Sequence, residues 1–411
     1  MIRLLRILLL PALLVAASSA LAQEEEQRHQ LYNGADTLLY TYTPIESDSL
    51  LVADTVAQRN GLLRRIVRYF EQSAVDRTFE KKLDITFAGG PSYSKTTSLG
   101  LGLLAAGLYR TDRTDSLTPP SDVTLFSNIS ISGFYSVGIT GNTIFRHSRR
   151  KLDYLLRFSS SPRDFWGFGY DAGRNNQQTS MLEQRYQVRA RFLNSFLGRA
   201  YIGAMVDFDH TSASKVTEIA EGYLNGQRHS YTTTGVGAVI EYDTRDFIPN
   251  PSRGIYFSLQ EIYYPKCFGN GPKDVWRTIV RGNAYHRLWR DALLAYDIYG
   301  EFNSKGTPWT MMARMGDNER MRGYYNGRYT DNNMVTAQIE LRQHIWRRIG
   351  CVAWCGAGNV FPALDEFRVE ECLPNYGLGL RWELKKRVNI RFDYGIGHDT
   401  GSFLLSINEA F

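Results

Sequence analysis

Past residue 22 the sequence has no run of 18 apolar residues, so it encodes no helix built to cross a bilayer. Proline is scarce, with 13 in 411 residues, so long extended segments can run uninterrupted. Neither sign of charge forms blocks. The net charge of +6 is spread along the chain, and no nucleic-acid-binding module is present, which excludes a nucleic-acid partner. There is no G-x-S-x-G, no phosphate loop and no metal-ligand cluster, so no catalytic residue, metal site or cofactor is expected. His147 in "FRHS" and His210 in "DHTS" each lie near a serine. They keep an outer-membrane lipase-type enzyme open as an alternative, because a nucleophile needs only a base within hydrogen-bond reach.

Cysteine is also scarce. Cys351 and Cys355 lie four residues apart in "GCVAWCGAG". On a strand that is one face and about 13 Å, at ~3.3 Å per residue. A disulfide needs Cα atoms within about 7 Å, so this pair cannot bridge, and apolar packing is the expected role. Cys267 and Cys372 fall in expected loops, where a bridge is open to them in an oxidising compartment.

The first 22 residues read as a cleaved secretory signal. Arg3 and Arg6 begin it, a short apolar run follows, and Ala20-Leu21-Ala22 closes it before Gln23. Residues 23–82 read as a periplasmic linker containing an amphipathic helix. Leu62, Leu63, Ile66, Val67, Phe70 and Ala74 recur at helical spacing, with Arg64, Arg65 and Arg68 on another face. Such a helix packs on its own protein, lies near a membrane surface or partly plugs a barrel.

From about Leu83 the period becomes two. In "EQRYQVRARFL" Tyr186, Val188, Ala190 and Phe192 share one face, and Gln187, Arg189 and Arg191 the other. Charged residues recur mid-strand along the whole region. A packed core rejects that many unpaired charges, whereas a water-filled lumen accepts them. Short connections such as Arg290-Asp291 alternate with long ones such as "GTPWTMMARMGDNERMRGYYNGRYTDNN". Membrane barrels show this asymmetry. Residues 83–411, at about 20 residues per strand and connection, give roughly 16 strands. The expected fold is therefore all-β, a transmembrane antiparallel barrel. Phe403, Leu405, Ile407 and Phe411 are expected on one face of a terminal strand, with Glu409 interrupting, as in an assembly signal for outer-membrane barrels.

Three stretches resemble the BamA/TamA-like barrels of the bacterial surface antigen superfamily. "EYDTRDFIPNPSRGIYFSL" is similar to a D-x-R-D, N-P-x-x-G turn, at Asp243, Arg245, Asp246, Asn250, Pro251 and Gly254. "MRGYYNGRY" is similar to the V-R-G-F/Y motif of the sixth external loop, at Arg322, Gly323 and Tyr324. "GCVAWCGAGNVF" and "YGLGLRWELKKRVNIRFDYGIG" are similar to the closing strands. The resemblance implies a 16-stranded outer-membrane barrel whose sixth external loop folds into the lumen. There the Arg322 fork meets wall carboxylates. Glu340 supplies one. The family's second acidic position is Gly356 here, so the lock rests on Glu340 alone or borrows Asp393 or Asp297. At the turn, Asp243 and Asp246 flank Arg245 and can pair with it, Pro251 stiffens it and Gly254 permits an unusual backbone, so the stretch reads as a well-capped turn.

With one helix and no repeat in residues 23–82, the sequence resembles the branch without POTRA domains. The implied function is outer-membrane biogenesis or transport, with a passive or gated pore as the alternative. The implied partners are outer-membrane lipids and lipopolysaccharide, the barrel assembly machinery for its own insertion, and periplasmic or outer-membrane proteins.

Overall fold

The computed structural model describes residues 78–115, 118–248, 250–316, 318–385 and 388–411. The expected signal, linker and amphipathic helix lie outside these residues, apart from the linker's last few. The strands are β1 (Asp84–Ser94), β2 (Ser98–Tyr109), β3 (Ser121–Ser130), β4 (Tyr135–Ile144), β5 (Arg150–Phe165), β6 (Thr179–Leu197), β7 (Ala200–Ser214) and β8 (Ser230–Asp243). Then come β9 (Gly254–Tyr264), β10 (Val275–Trp289), β11 (Ala292–Asn303), β12 (Asn333–Trp346), β13 (Ile349–Phe361), β14 (Leu373–Lys385), β15 (Val388–Gly397) and β16 (Thr400–Ile407). Each pairs antiparallel with its neighbours, and β16 returns to β1, closing a 16-stranded barrel.

Closure gives every strand a hydrogen-bonded neighbour on both sides, the pairing that hydrocarbon demands. It is least extensive at the seam. Between β1 and β16 only Tyr93 and Leu405 stand in register. Between β5 and β6 the ladder runs from Arg150 opposite Asn194 to Phe165 opposite Thr179.

The period of two sorts the side chains. Phe87, Leu103, Val188, Val236 and Leu378 are exposed on the outer face, as an apolar solvent requires. Arg185, Arg189 and Arg191 point inward and meet Asp209, Asp207 and Asp153 at 2.6, 2.7 and 2.6 Å. These cross-strand pairs explain how charged residues sit mid-strand.

The two ends of the barrel differ. Residues 198–199, 290–291 and 347–348 make two-residue turns at one end. Residues 166–178, 215–229 and 304–332 make the long connections at the other. The first carries helix α1 (Tyr170–Asn175) and the second helix α2 (Glu218–Leu224). The third carries a small ribbon, Ala313–Met315 paired with Tyr329–Asp331.

All four cysteines are free, so the bridge left open between Cys267 and Cys372 does not form. Cys267 is exposed between β9 and β10, whereas the Cys372 thiol lies 3.7 Å from the Asn359 amide.

Val188 is 43% exposed at mid-strand on the outer face. Val188→Arg is expected to cost about 2–4 kcal/mol in denaturant titrations of the protein in vesicles. Gln187→Arg, facing the interior carboxylate of Asp209, is expected to cost far less.

Candidate functional site

The connection from β11 to β12 is pinned at its base. The Asn303 side chain donates to the Asn332 carbonyl at 2.6 Å, and the Asn303 N–H to the Asn333 side chain at 3.0 Å. Further along, Trp309 is buried against α2, and its indole donates to the Arg228 carbonyl at 3.0 Å. Arg314 in the ribbon forks onto Glu183 at 3.0 and 2.9 Å, and Arg163 joins the same carboxylate at 2.9 Å. The Tyr325 hydroxyl accepts from the Asp164 N–H at 2.9 Å.

The tip turns sharply at Met321 and Gly323, both with left-handed φ, 51° and 104°. Gly323 lies against Gly395 of β15, and a Cβ on either would run into the other segment's backbone. Only glycine permits both the backbone angle and the approach. Arg322 is thereby delivered to the wall with no exposed surface. One guanidinium nitrogen lies 2.5 Å from Glu340 and another 2.9 Å from Asp393. The plane lies 3.6 Å from the centre of the Trp354 ring. Trp354 donates to Asn375 at 2.9 Å, and Asn375 donates to the Arg322 carbonyl.

The neighbours extend the network. Arg320 takes Asp297 at 2.8 and 3.2 Å. Arg342 holds the other oxygen of Glu340 at 2.7 Å, and Arg381 holds the other oxygen of Asp393 at 2.5 Å. Glu409 closes the circuit at 2.8 Å from Arg381. Tyr324 donates to the Pro374 carbonyl and accepts from the His398 N–H, both at 2.7 Å. Of the two acids open to Arg322 besides Glu340, Asp393 pairs with it and Asp297 pairs with Arg320. Gly356 lies on the inner face of β13, where a side chain would meet Ala337 and Gln338 of β12.

At the 243–254 turn the two acids take different partners. Arg245 forks onto Asp243 at 3.0 and 2.8 Å. Asp246 serves the turn backbone instead, accepting from the Ser252 N–H at 2.9 Å and hydroxyl at 2.7 Å. Pro251 is buried, and Gly254 has φ 106° against the Thr244 carbonyl, where a Cβ would clash.

The last residues depart from expectation. Phe403, Leu405 and Ile407 share the outer face, but Phe411 does not join them. The strand ends at Ile407, Asn408 adopts φ 70°, and the chain turns inward. Phe411 is 7% exposed, against 67% for Phe403, and packs with Tyr285 and Ala295. Arg342 donates to its carbonyl at 2.9 Å. His210 pairs with Thr232 at 2.7 Å, not with a serine.

Residues 130–411 match the Omp85 superfamily domain. The chain belongs to the Omp85 superfamily. Among solved structures it is similar to BamA from Haemophilus ducreyi lacking POTRA domains 1–3, with TM-score 0.54 and 12% identity over 80% of this chain and 70% of that one. It is also similar to CdiB from Acinetobacter baumannii, with TM-score 0.53 and 12% identity over 80% of this chain and 60% of that one. CdiB from Escherichia coli gives 0.53 and 11% over 79% and 62%. The chain thus spans about three-fifths of the CdiB chains. No curated protein sequence matches it. At these identities the likeness is one of fold, and it is membership of the Omp85 superfamily that makes the chain an outer-membrane barrel.

Several residues at the cluster escaped motif reading. Arg342, Arg381, Glu409, Trp354, Asn375 and Arg391, which lies 3.7 Å from Asp393, carry no signature of their own. Their one sequence signal is spacing. Glu340 and Arg342, and Arg391 and Asp393, sit two apart and therefore share the inner face of one strand.

Losing one partner of a buried pair leaves an uncompensated charge, worth about 3–5 kcal/mol. Glu340→Lys should therefore free the 316–332 segment, raising protease cleavage within it by roughly tenfold or more. Arg322→Lys, which keeps the charge but loses the fork, should fall between. Unchanged cleavage and unchanged heat-modifiability in both variants would refute the role assigned to the pairs.

A second expectation concerns pH. Burial, helped by the Glu366 and Glu371 carboxylates, pushes the Asp331 carboxyl up to about 6 despite the Asn332 N–H it accepts. A folded pKa above the unfolded one means the group's contribution is complete below the unfolded value of 3.8. It is lost as pH rises through about 6. Protease protection of the ribbon should fall over that window, and Asp331→Asn should flatten the profile.

Proposed function

We propose that this Omp85 barrel acts in outer-membrane biogenesis or transport, with its sixth external loop, residues 304–332, folded inward as a lock on the lumen. The observation that supports it best is Arg322, fully buried between Glu340 and Asp393 and stacked on Trp354. A guanidinium removed from water in this way is stable only while both carboxylates stay in place. The lock therefore holds one geometry and releases as a unit. The signal peptide, the short periplasmic turns and the insertion of this chain by the barrel assembly machinery belong to the same reading. So do its partners: outer-membrane lipids, lipopolysaccharide, and periplasmic or outer-membrane proteins.

A gated pore is the second reading, and one observation favours it. The inner faces of β1 to β4 carry small uncharged residues such as Thr86, Ala88, Ser92, Thr124 and Thr140, and these stay partly exposed. Among the described residues, the side chains on that side leave the interior partly open.

Two measurements on the full chain separate the readings. In planar bilayers the intact protein is expected to conduct poorly, and deletion of residues 319–333 to raise conductance severalfold. High conductance in the intact protein, unchanged by deletion, would remove the lock. In proteoliposomes the intact protein should speed the folding of a small outer-membrane barrel. Conductance that responds to deletion without any such acceleration would leave the pore.

A further inference from the structure

The short-turn end of the barrel repeats one chemical pattern that the lock does not use. Phe196, Trp289 and Trp346 are exposed there, and Arg199, Arg290 and Arg347 follow them within a few residues. At the turn between β4 and β5, Phe145 is followed by Arg146, His147, Arg149 and Arg150. Here the pattern acquires a cavity. A cleft of about 600 Å³ opens between this turn and Thr111-Asp112 of the β2–β3 connection. Its lining holds those four basic residues against a single acid, Asp112. Arg146 pairs with Asp112 at 3.4 Å. No carboxylate of the described residues pairs with Arg149 or Arg150, and both are exposed.

The turn is held in shape before any ligand arrives. His147 and Ser148 have φ 57° and 54°, a region that non-glycine residues rarely enter. Three contacts fix them there. The His147 N–H donates to the buried carboxylate of Asp115 at 2.8 Å, and the Tyr201 hydroxyl to the Ser148 carbonyl at 3.0 Å. The Ser195 N–H donates to the Arg149 carbonyl at 2.7 Å. An arginine pair on a rigid turn with no acid of its own matches a phosphodiester, which the guanidinium fork binds in two places.

The surroundings select the source of that phosphate. The Phe145 ring packs at 6.5 Å, edge to face, on Phe192, an outward residue of β6. The cleft therefore opens at the edge of the apolar outer band. A phosphate seated in it would have its attached chains lying on that band. We propose that the cleft between residues 111–112 and 145–150 binds the headgroup of an anionic phospholipid from the leaflet at the short-turn end, with Arg149 and Arg150 on the phosphate. The proposal rests on the barrel alone and is independent of the lock.

Native mass spectrometry of the full chain tests it, in micelles doped with equal dioleoylphosphatidylglycerol and dioleoylphosphatidylcholine. The wild type should retain the anionic lipid in preference. R149Q/R150Q should lower that retention by roughly 30-fold while heat-modifiability stays intact. R149K/R150K, which keeps the charge, should recover part of it. A control, R290Q/R347Q, removes two arginines from other short turns and should leave most of the preference. No loss in R149Q/R150Q, or an equal loss in the control, would overturn the site. Inorganic phosphate displacing the lipid as well as glycerophosphoglycerol does would overturn the lipid as its ligand.

Discussion

A strand in hydrocarbon must give every N–H and C=O a partner, and that demand governs this molecule. The chain meets it by closing sixteen strands on themselves. Closure fixes which residues face outward, and it creates an interior too wide for strand side chains to fill. The rest of the structure answers that interior. Arg185, Arg189 and Arg191 are matched to carboxylates on neighbouring strands. The 304–332 segment brings Trp309, Met315, Met321 and Tyr329 to buried positions of its own.

Arg322 concentrates this answer. Its burial is unfavourable in itself and becomes tolerable only through two carboxylates, an aromatic face and the Asn375 amide on its carbonyl. Because Arg342 and Arg381 hold the far oxygens of the same acids, β12, β14 and β15 are tied into one charged network. The segment also reaches the barrel's thinnest junction. Thr400 donates to the Gly323 carbonyl at 2.9 Å, and the Asn326 N–H donates to Thr96 at 3.0 Å. Those residues belong to β16 and to the β1–β2 turn. The same few residues therefore hold the wall and span a seam with one pair in register.

The two ends of the barrel divide the chemistry. The long connections carry the helices and the ribbon, and their buried residues pack on one another. The short turns carry arginines beside exposed aromatics, the composition that suits a boundary between hydrocarbon and phosphate.

Much of this was legible in the sequence, because it depends on local patterning. The period of two in stretches such as 184–193 fixed which faces meet lipid, alternating connection lengths pointed to an antiparallel membrane barrel, and the length of residues 83–411 gave the strand number. Arg322, Gly323 and Glu340 stood out by motif. What remained open was set by distances between residues far apart in the chain. Asp393 rather than Asp297 serves Arg322, because β15 and not β11 faces that side of the loop tip. Asp246 turns to Ser252, and Phe411 turns inward at Asn408, because hydrogen bonds and a backbone angle outweigh the alternation of the preceding strand. The sequence by itself determined a closed sheet with a charged interior, since alternation is a property of neighbours. Only the tertiary structure decided which charges meet, since a buried guanidinium selects its partners by geometry across strands.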